Sequence, residues 1–290
     1  MSSFKGTNRQ YKDRLFKFIF GNPENKEWTL SLYNAMNHSS HTNPDDIIFT
    51  TIEDAVYMSM KNDVSFLIAD NMSLYEQQST FNPNMPMRFL VYAGMVYERY
   101  MNNNRDYHKY SPKQQKAPTP KCVCFYNGRT ETEDVVILKL SDSFKPDSKP
   151  DIEVTVTMIN INYGRNKDLM KICKPLNDYS FFVEEVRSGK NQTDNLEEAI
   201  DNALKKLPDD SVIKPFLLAN KAEVKHMCIT EYDEERTFAE WKEDCIEVGI
   251  EKGKKDVALN LLKLKTMTEE VIANATGLSI EQIHKLAEEL

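Results

Sequence analysis

Apolar residues change their period along the chain, and each change predicts a change of element. Leu15, Phe16, Ile19 and Phe20 recur at helical spacing within residues 8–20. Asn22 and Pro23 then offer a cap and a first-turn proline, and a second helix carries Trp28, Leu32 and Met36 on one side. Past the polar "NHSSHTNPDD", residues 47–60 and 62–79 form strand-length runs rich in β-branched, aromatic and methionine side chains. "NPNMP" stops these strands, and "MRFLVYAGMVYERYM" returns to helical spacing. Residues 102–121 read as a polar loop. The strands "CVCFYNG" and "DIEVTVTMININ" follow, the second alternating with a period of two. After residue 165 the pattern is helical, with a long helix expected over about 234–265. The order predicts an α/β body over 1–230 and a helical tail over 231–290, a long helix followed by a helical hairpin.

One segment departs from simple patterning. "MKNDVSFLIADNMSLYEQQS" (60–79) reads as a β-hairpin, yet it places Asp63, Glu76 and Gln78 where valine or threonine would suit a strand better. With Asp70-Asn71 as the two loop residues, Ala69 pairs with Met72 and cross-strand partners sum to 141. Asp63 then faces Gln78, Ser65 faces Glu76 and Leu67 faces Leu74. All three polar residues share one face, and Val64, Phe66, Ile68 and Tyr75 form a core on the other. Neighbouring carboxylates repel unless a cation or a proton intervenes. Oxygen donors without histidine or thiolate suit Mg²⁺ or Mn²⁺. A solvated polar face on an edge hairpin is the plainer alternative.

The bulk numbers narrow the field. Over 290 residues the formal charge is −8, so a surface basic everywhere and coating nucleic acid is excluded, although a local basic patch is not. The five cysteines include no CxxC pair, which points to buried thiols in a reducing, cytoplasmic setting rather than to a zinc site. The N-terminal residues lack an apolar core, and no run approaches the ~18 apolar residues of a membrane span.

"NDVSFLIADNMSLYEQQS" followed by "MPMRFLVYAGMVYERY" resembles the Rpn-type recombination-promoting nuclease/putative transposase family of the PD-(D/E)XK nuclease superfamily. "DRLFKFIF", "FYNG", "DIEVTVTMININ" and "ATGLSIEQIHKL" extend the likeness over most of the chain. The resemblance implies a restriction-endonuclease-like mixed β-sheet flanked by helices in residues 1–230, and Mg²⁺-dependent cleavage of DNA linked to recombination or transposition. Mn²⁺ is expected to substitute. It further implies that Asp63 and Glu76 ligate the metal and that Gln78, standing where lysine is usual, orients the attacking water. Asn62 replaces the proline of the superfamily signature. A glutamine cannot neutralise developing charge as lysine does, so a catalytically degenerate DNA- or protein-binding relative is the alternative.

Other residues complete the expected site. Arg88 shares a helix face with Tyr92 and either reaches a DNA phosphate or stacks on the tyrosine. Asp13 and Lys17 are spaced as a helix ion pair, with a place beside the site as the second reading. Lys109, Lys113 and Lys116, interleaved with Tyr107 and Tyr110, could follow a sugar-phosphate backbone or simply be solvated. Glu153 reads as structural. In the tail, Thr266 with Glu269 and Ser279 with Gln282 outline two capping boxes around a Gly277 stop. The acidic "IEQIHKLAEEL" argues against groove reading and for packing or a homo-oligomer contact. Val271, Ile272, Leu278, Ile283 and Leu286 are the expected seam.

Overall fold

The computed structural model describes residues 15–50, 64–104, 107–108, 110–193 and 195–288. Asp13, Asp63 and Lys109 lie outside the described residues, as does most of the first expected strand run. The contacts divide the chain into two compact units, Met1–Glu231 and Tyr232–Leu290.

The first unit opens with α1 (Leu15–Phe20) and α2 (Lys26–Asn37). Asn22 caps a 3₁₀ turn at Pro23–Asn25, its Oδ1 accepting from the Glu24 amide at 2.9 Å, so α2 starts only after that turn. A six-stranded mixed sheet follows: β1 (Ile48–Phe49), β2 (Val64–Ile68), β3 (Asn71–Gln78), β4 (Thr119–Tyr126), β5 (Val135–Lys139) and β6 (Thr155–Asn160). Its order is β1-β2-β3-β4-β6-β5. β3, β4 and β6 run parallel, and β1, β2 and β5 are joined antiparallel. The long α3 (Met85–Asn103) carries the chain from β3 to its parallel neighbour β4, the crossover that parallel strands require.

Helices cover both faces of the sheet. On one face Met85, Phe89, Tyr92 and Val96 of α3, spaced by four, three and four residues, pack on Met72, Leu74, Cys124, Tyr126, Val156 and Met158. On the other face α1, α2, α5 (Lys174–Lys190) and α6 (Leu196–Lys206) enclose Val64, Phe66, Ile68, Tyr75, Val123, Phe125 and Ile159. The core expected from Val64, Phe66, Ile68 and Tyr75 is present. The solvated hairpin face is not, because α3 buries it.

Three further expectations need correction. β5 was not foreseen: Val135 to Lys139 form a strand on the far edge, between two polar turns. The final strand is shorter than "DIEVTVTMININ" suggests. Glu153 precedes β6, stays exposed and accepts from the amides of Ser141 and Val154 at 3.1 and 3.0 Å. Its hydrogen bonding to Ser141 lowers its pKa below the usual glutamate value.

The hairpin register also differs. Val64 pairs with Tyr75, Ser65 with Leu74 and Leu67 with Met72, so partners sum to 139 rather than 141. The loop residues are Ala69 and Asp70, Ala69 taking a φ of 49°. Asn71 enters the strand instead, where it pairs with Thr119 of β4 and donates from Nδ2 to the Tyr33 hydroxyl at 2.9 Å. An eight-residue parallel ladder, Asn71–Gln78 on Thr119–Tyr126, outweighs the turn preference of Asp-Asn. A slip of two residues changes partners but leaves every side chain on its face.

The chain continues through α4 (Lys167–Ile172), α5, α6, α7 (Lys214–Ala219) and the 44-residue α8 (Lys221–Leu264), which begins earlier than expected. In the second unit α9 (Glu269–Thr276) and α10 (Ile280–Glu288) form a hairpin. Ser279 and Gln282 make the expected reciprocal cap at 2.9 and 3.2 Å, and Gly277 ends α9 with a φ of 69°. The other box does not form, for Thr268 rather than Thr266 is the cap position of α9. Ile272, Leu278 and Ile283 are buried with Ala258 of α8, and Leu286 packs on this cluster. That part of the expected seam is the unit's own core, and Val271 is exposed. No helix of the described residues is long and apolar enough to cross a membrane.

Candidate functional site

The polar residues of β3 lie near the carboxyl end of the central parallel strands. Gln78, Tyr126 and Asn160 end β3, β4 and β6 at matching registers. Open α/β sheets bind ligands at such ends. Glu76 and Gln78, two apart, both point to the α3 side. Each is buried, at 1% and 8% exposure, with Gln78 Nε2 donating to Glu76 Oε2 at 3.3 Å.

Helix α3 supplies the countercharge. Its N-terminal Met85 and Pro86 are buried, which fixes Arg88 one turn into the helix above the end of β3. Arg88 Nη2 donates to Glu76 Oε2 at 3.4 Å, and its side chain keeps 25% exposure. Tyr92, one turn further along, holds the same guanidinium: its hydroxyl accepts from Arg88 Nε at 3.2 Å and from Nη2 at 2.8 Å. The guanidinium carbon lies 5.7 Å from the Tyr92 ring centre. Both alternatives for Arg88 therefore converge, since it contacts Tyr92 and an acid together. The contacts to Tyr92 are shorter than those to Glu76, so the phenol positions the guanidinium and the carboxylate sits at its edge.

Glu76 and Gln78 are brought together, with Arg88 and Tyr92 beside them. Lys113 and Lys116 are exposed in the loop that follows α3. Tyr97 Oη donates to the Pro118 carbonyl, and Asn104 Nδ2 donates to Tyr100 Oη at 2.8 Å, which anchors both ends of that loop. Tyr107 rests on Tyr100 with ring centres 6.0 Å apart, whereas Tyr110 is exposed.

Donor chemistry gives the test of a metal. The oxygens of Glu76 and Gln78 suit a hard divalent cation. Among the described residues no group of three or more His, Cys, Asp or Glu gathers.

A second polar cluster, on the opposite face, escaped sequence reasoning. Gln77 Nε2 donates to Asn127 Oδ1 at 2.6 Å, and Asn127 Nδ2 donates to the Tyr179 hydroxyl at 3.3 Å. Arg187 of α5 donates to the Asn127 carbonyl and, at 3.4 Å, to Asn162 Oδ1. The only sequence signals were the doubled glutamine and the "NG" after β4. This cluster is hydrogen-bonded throughout and fastens the ends of β3 and β4 to α5. Gly128 belongs to the same junction, where a Cβ would collide with the Ser79 carbonyl oxygen.

Comparison of the chain with protein-family models, with curated proteins and with solved structures finds no match in any of the three.

Proposed function

We propose that the chain is a divalent-cation-dependent DNA endonuclease of the restriction-endonuclease-like type, working at the carboxyl end of β3. The observation that carries this reading is the buried Glu76 and Gln78 pair, set beneath an arginine at the end of three parallel strands. A core position rarely holds a carboxylate unless a partner or a cation compensates its lost hydration. Glu76 and Asp63 would hold Mg²⁺ or Mn²⁺, which supplies Lewis acidity and a water of lowered pKa. Gln78 would orient the attacking water through its amide. Arg88, held by Tyr92, would balance charge on the phosphate, and Lys109, Lys113 and Lys116 would follow the DNA backbone. The resemblance to Rpn-type nucleases gives this reading its link to recombination or transposition.

One observation favours a second reading. Glu76 already has Arg88 as a counter-ion, so the same residues also suit a non-cleaving DNA- or protein-binding relative. Supercoiled plasmid separates the two. The nuclease reading expects nicking with Mg²⁺ that disappears with EDTA and in Asp63→Ala and Glu76→Gln, each shown to be folded by circular dichroism. Equal nicking in every arm, or none in any, would reject catalysis at this site.

A further inference from the structure

Among the described residues β5 pairs with β6 on one side and with no strand on the other. The ladder fixes which backbone groups face inward. Val135 pairs with Ile159 and Lys139 with Thr155. In the same register the Asn160 amide donates to the Asp134 carbonyl, and the Leu140 amide to the Val154 carbonyl, each at 2.9 Å. Even-numbered residues of β5 therefore bond to β6. The amides and carbonyls of Val135, Ile137 and Lys139 point away from the sheet. The side chains of these three share one face. Val135 and Ile137 are 45% and 49% exposed there, whereas Val136 and Leu138 pack on the α3 side. An amide and a carbonyl offered by every second residue are the groups that an added strand bonds.

We propose that β5 of a second copy of this chain adds to this edge, antiparallel about a two-fold axis, so that residues summing to 272 meet. Val135 then faces Ile137 of the partner subunit, joined through the outward amides and carbonyls of both. Lys139 comes beside Glu133 of the partner subunit. Each pairing occurs twice, as a self-complementary interface requires. Glu133 and Lys139 are both exposed and lie at opposite ends of β5, so the edge carries its own complement. Side chains keep their faces only if the sum is even. A sum of 274 sets Val135 against Lys139 of the partner subunit, and a sum of 270 sets Ile137 against Glu133 of the partner subunit. Of these three alignments, 272 alone matches apolar to apolar and acid to base. An in-register parallel copy would bring Glu133 against Glu133 of the partner subunit, a like-charge contact. The contact uses only the first unit and is independent of the nuclease reading.

Sedimentation equilibrium of the full chain over a range of concentrations tests it. The expected result is a reversible dimer of twice the 33.6 kDa chain mass. Ile137→Pro removes an outward amide and leaves the bonds to β6 in place, as proline on an edge strand can. Ile137→Lys charges the same exposed position without altering the backbone. Each variant, with its circular dichroism unchanged, should weaken the dimer at least ten-fold. Glu133→Lys and Lys139→Glu should each weaken it several-fold, and the two together should restore it. A monomer at every concentration, or a dimer that either folded Ile137 variant leaves intact, would overturn the proposal. Single charge reversals without effect, or no recovery in the double variant, would overturn the alignment.

Discussion

At the scale of single residues, Glu76 dominates the energetics of the α3 face. It is almost fully buried, whereas its partner Arg88 keeps a quarter of its side chain in solvent. Removing the arginine leaves a carboxylate in the core, while neutralising the carboxylate leaves a cation that can still reach water and Tyr92. Arg88→Met should therefore cost roughly 3 kcal/mol and Glu76→Gln only about 1 kcal/mol. The double variant should fall short of their sum by about 1–2 kcal/mol, read from urea midpoints. Thiols give an independent check on burial. Desolvation pushes the Cys122 thiol up to about 12 and the Cys173 thiol up to about 11, whereas Cys245 is exposed. At pH 8 the thiolate of Cys122 is on the order of one part in ten thousand. Iodoacetamide followed by peptide mass analysis should label Cys245 first. Both groups, Cys122 partly buried and Cys173 fully so, fold as neutral thiols with raised pKa values. Their contribution to stability is intact below the unfolded value of about 8.5 and declines as pH rises toward the folded values.

Among the elements, β3 explains what sequence reasoning could and could not read. Alternation in "VSFLIADNMSLYEQQ" made both faces legible, so Glu76 and Gln78 fell on one side without coordinates. Pairing was not legible, because β4, more than forty residues later in the chain, decides it through the ladder from Asn71 to Gln78. Local turn preference lost to that non-local ladder. Burial of the polar face was missed for a similar reason: the stripe on α3 was visible, but nothing in sequence says which sheet face it covers. β5 was short and flanked by polar turns, and its run "VVILK" is too short and too evenly apolar for periodicity to assign. Arg88 and Tyr92 were found by spacing, and their link to Glu76 came from tertiary packing alone. The junction at Gly128 offers a test of how tightly β3 and the loop after β4 meet. Gly128→Ala should destabilise the chain by roughly 2 kcal/mol through overpacking against Ser79, measured as a shift in urea midpoint at constant slope. No shift would mean that the two backbones have room to part.

For the whole molecule, the formal charge of −8 means that any DNA affinity must be local. Lys113 and Lys116 project from a loop anchored at both ends, which lowers the ordering cost of holding a backbone. Under the nuclease reading, Lys113→Ala with Lys116→Ala should weaken binding to any duplex sequence about equally. It should also reduce the dependence of log affinity on log salt by about 2. Unchanged salt dependence would leave these lysines as solvated surface. The most direct measurement of the central idea is a crystal structure of the full chain soaked in Mn²⁺, with anomalous scattering used to find the ion. The account predicts a peak about 2.2 Å from the Glu76 carboxylate, also ligated by Asp63 and within reach of the Gln78 amide. Density elsewhere, or Glu76 still held by Arg88 with no ion beside it at saturating Mn²⁺, would contradict it.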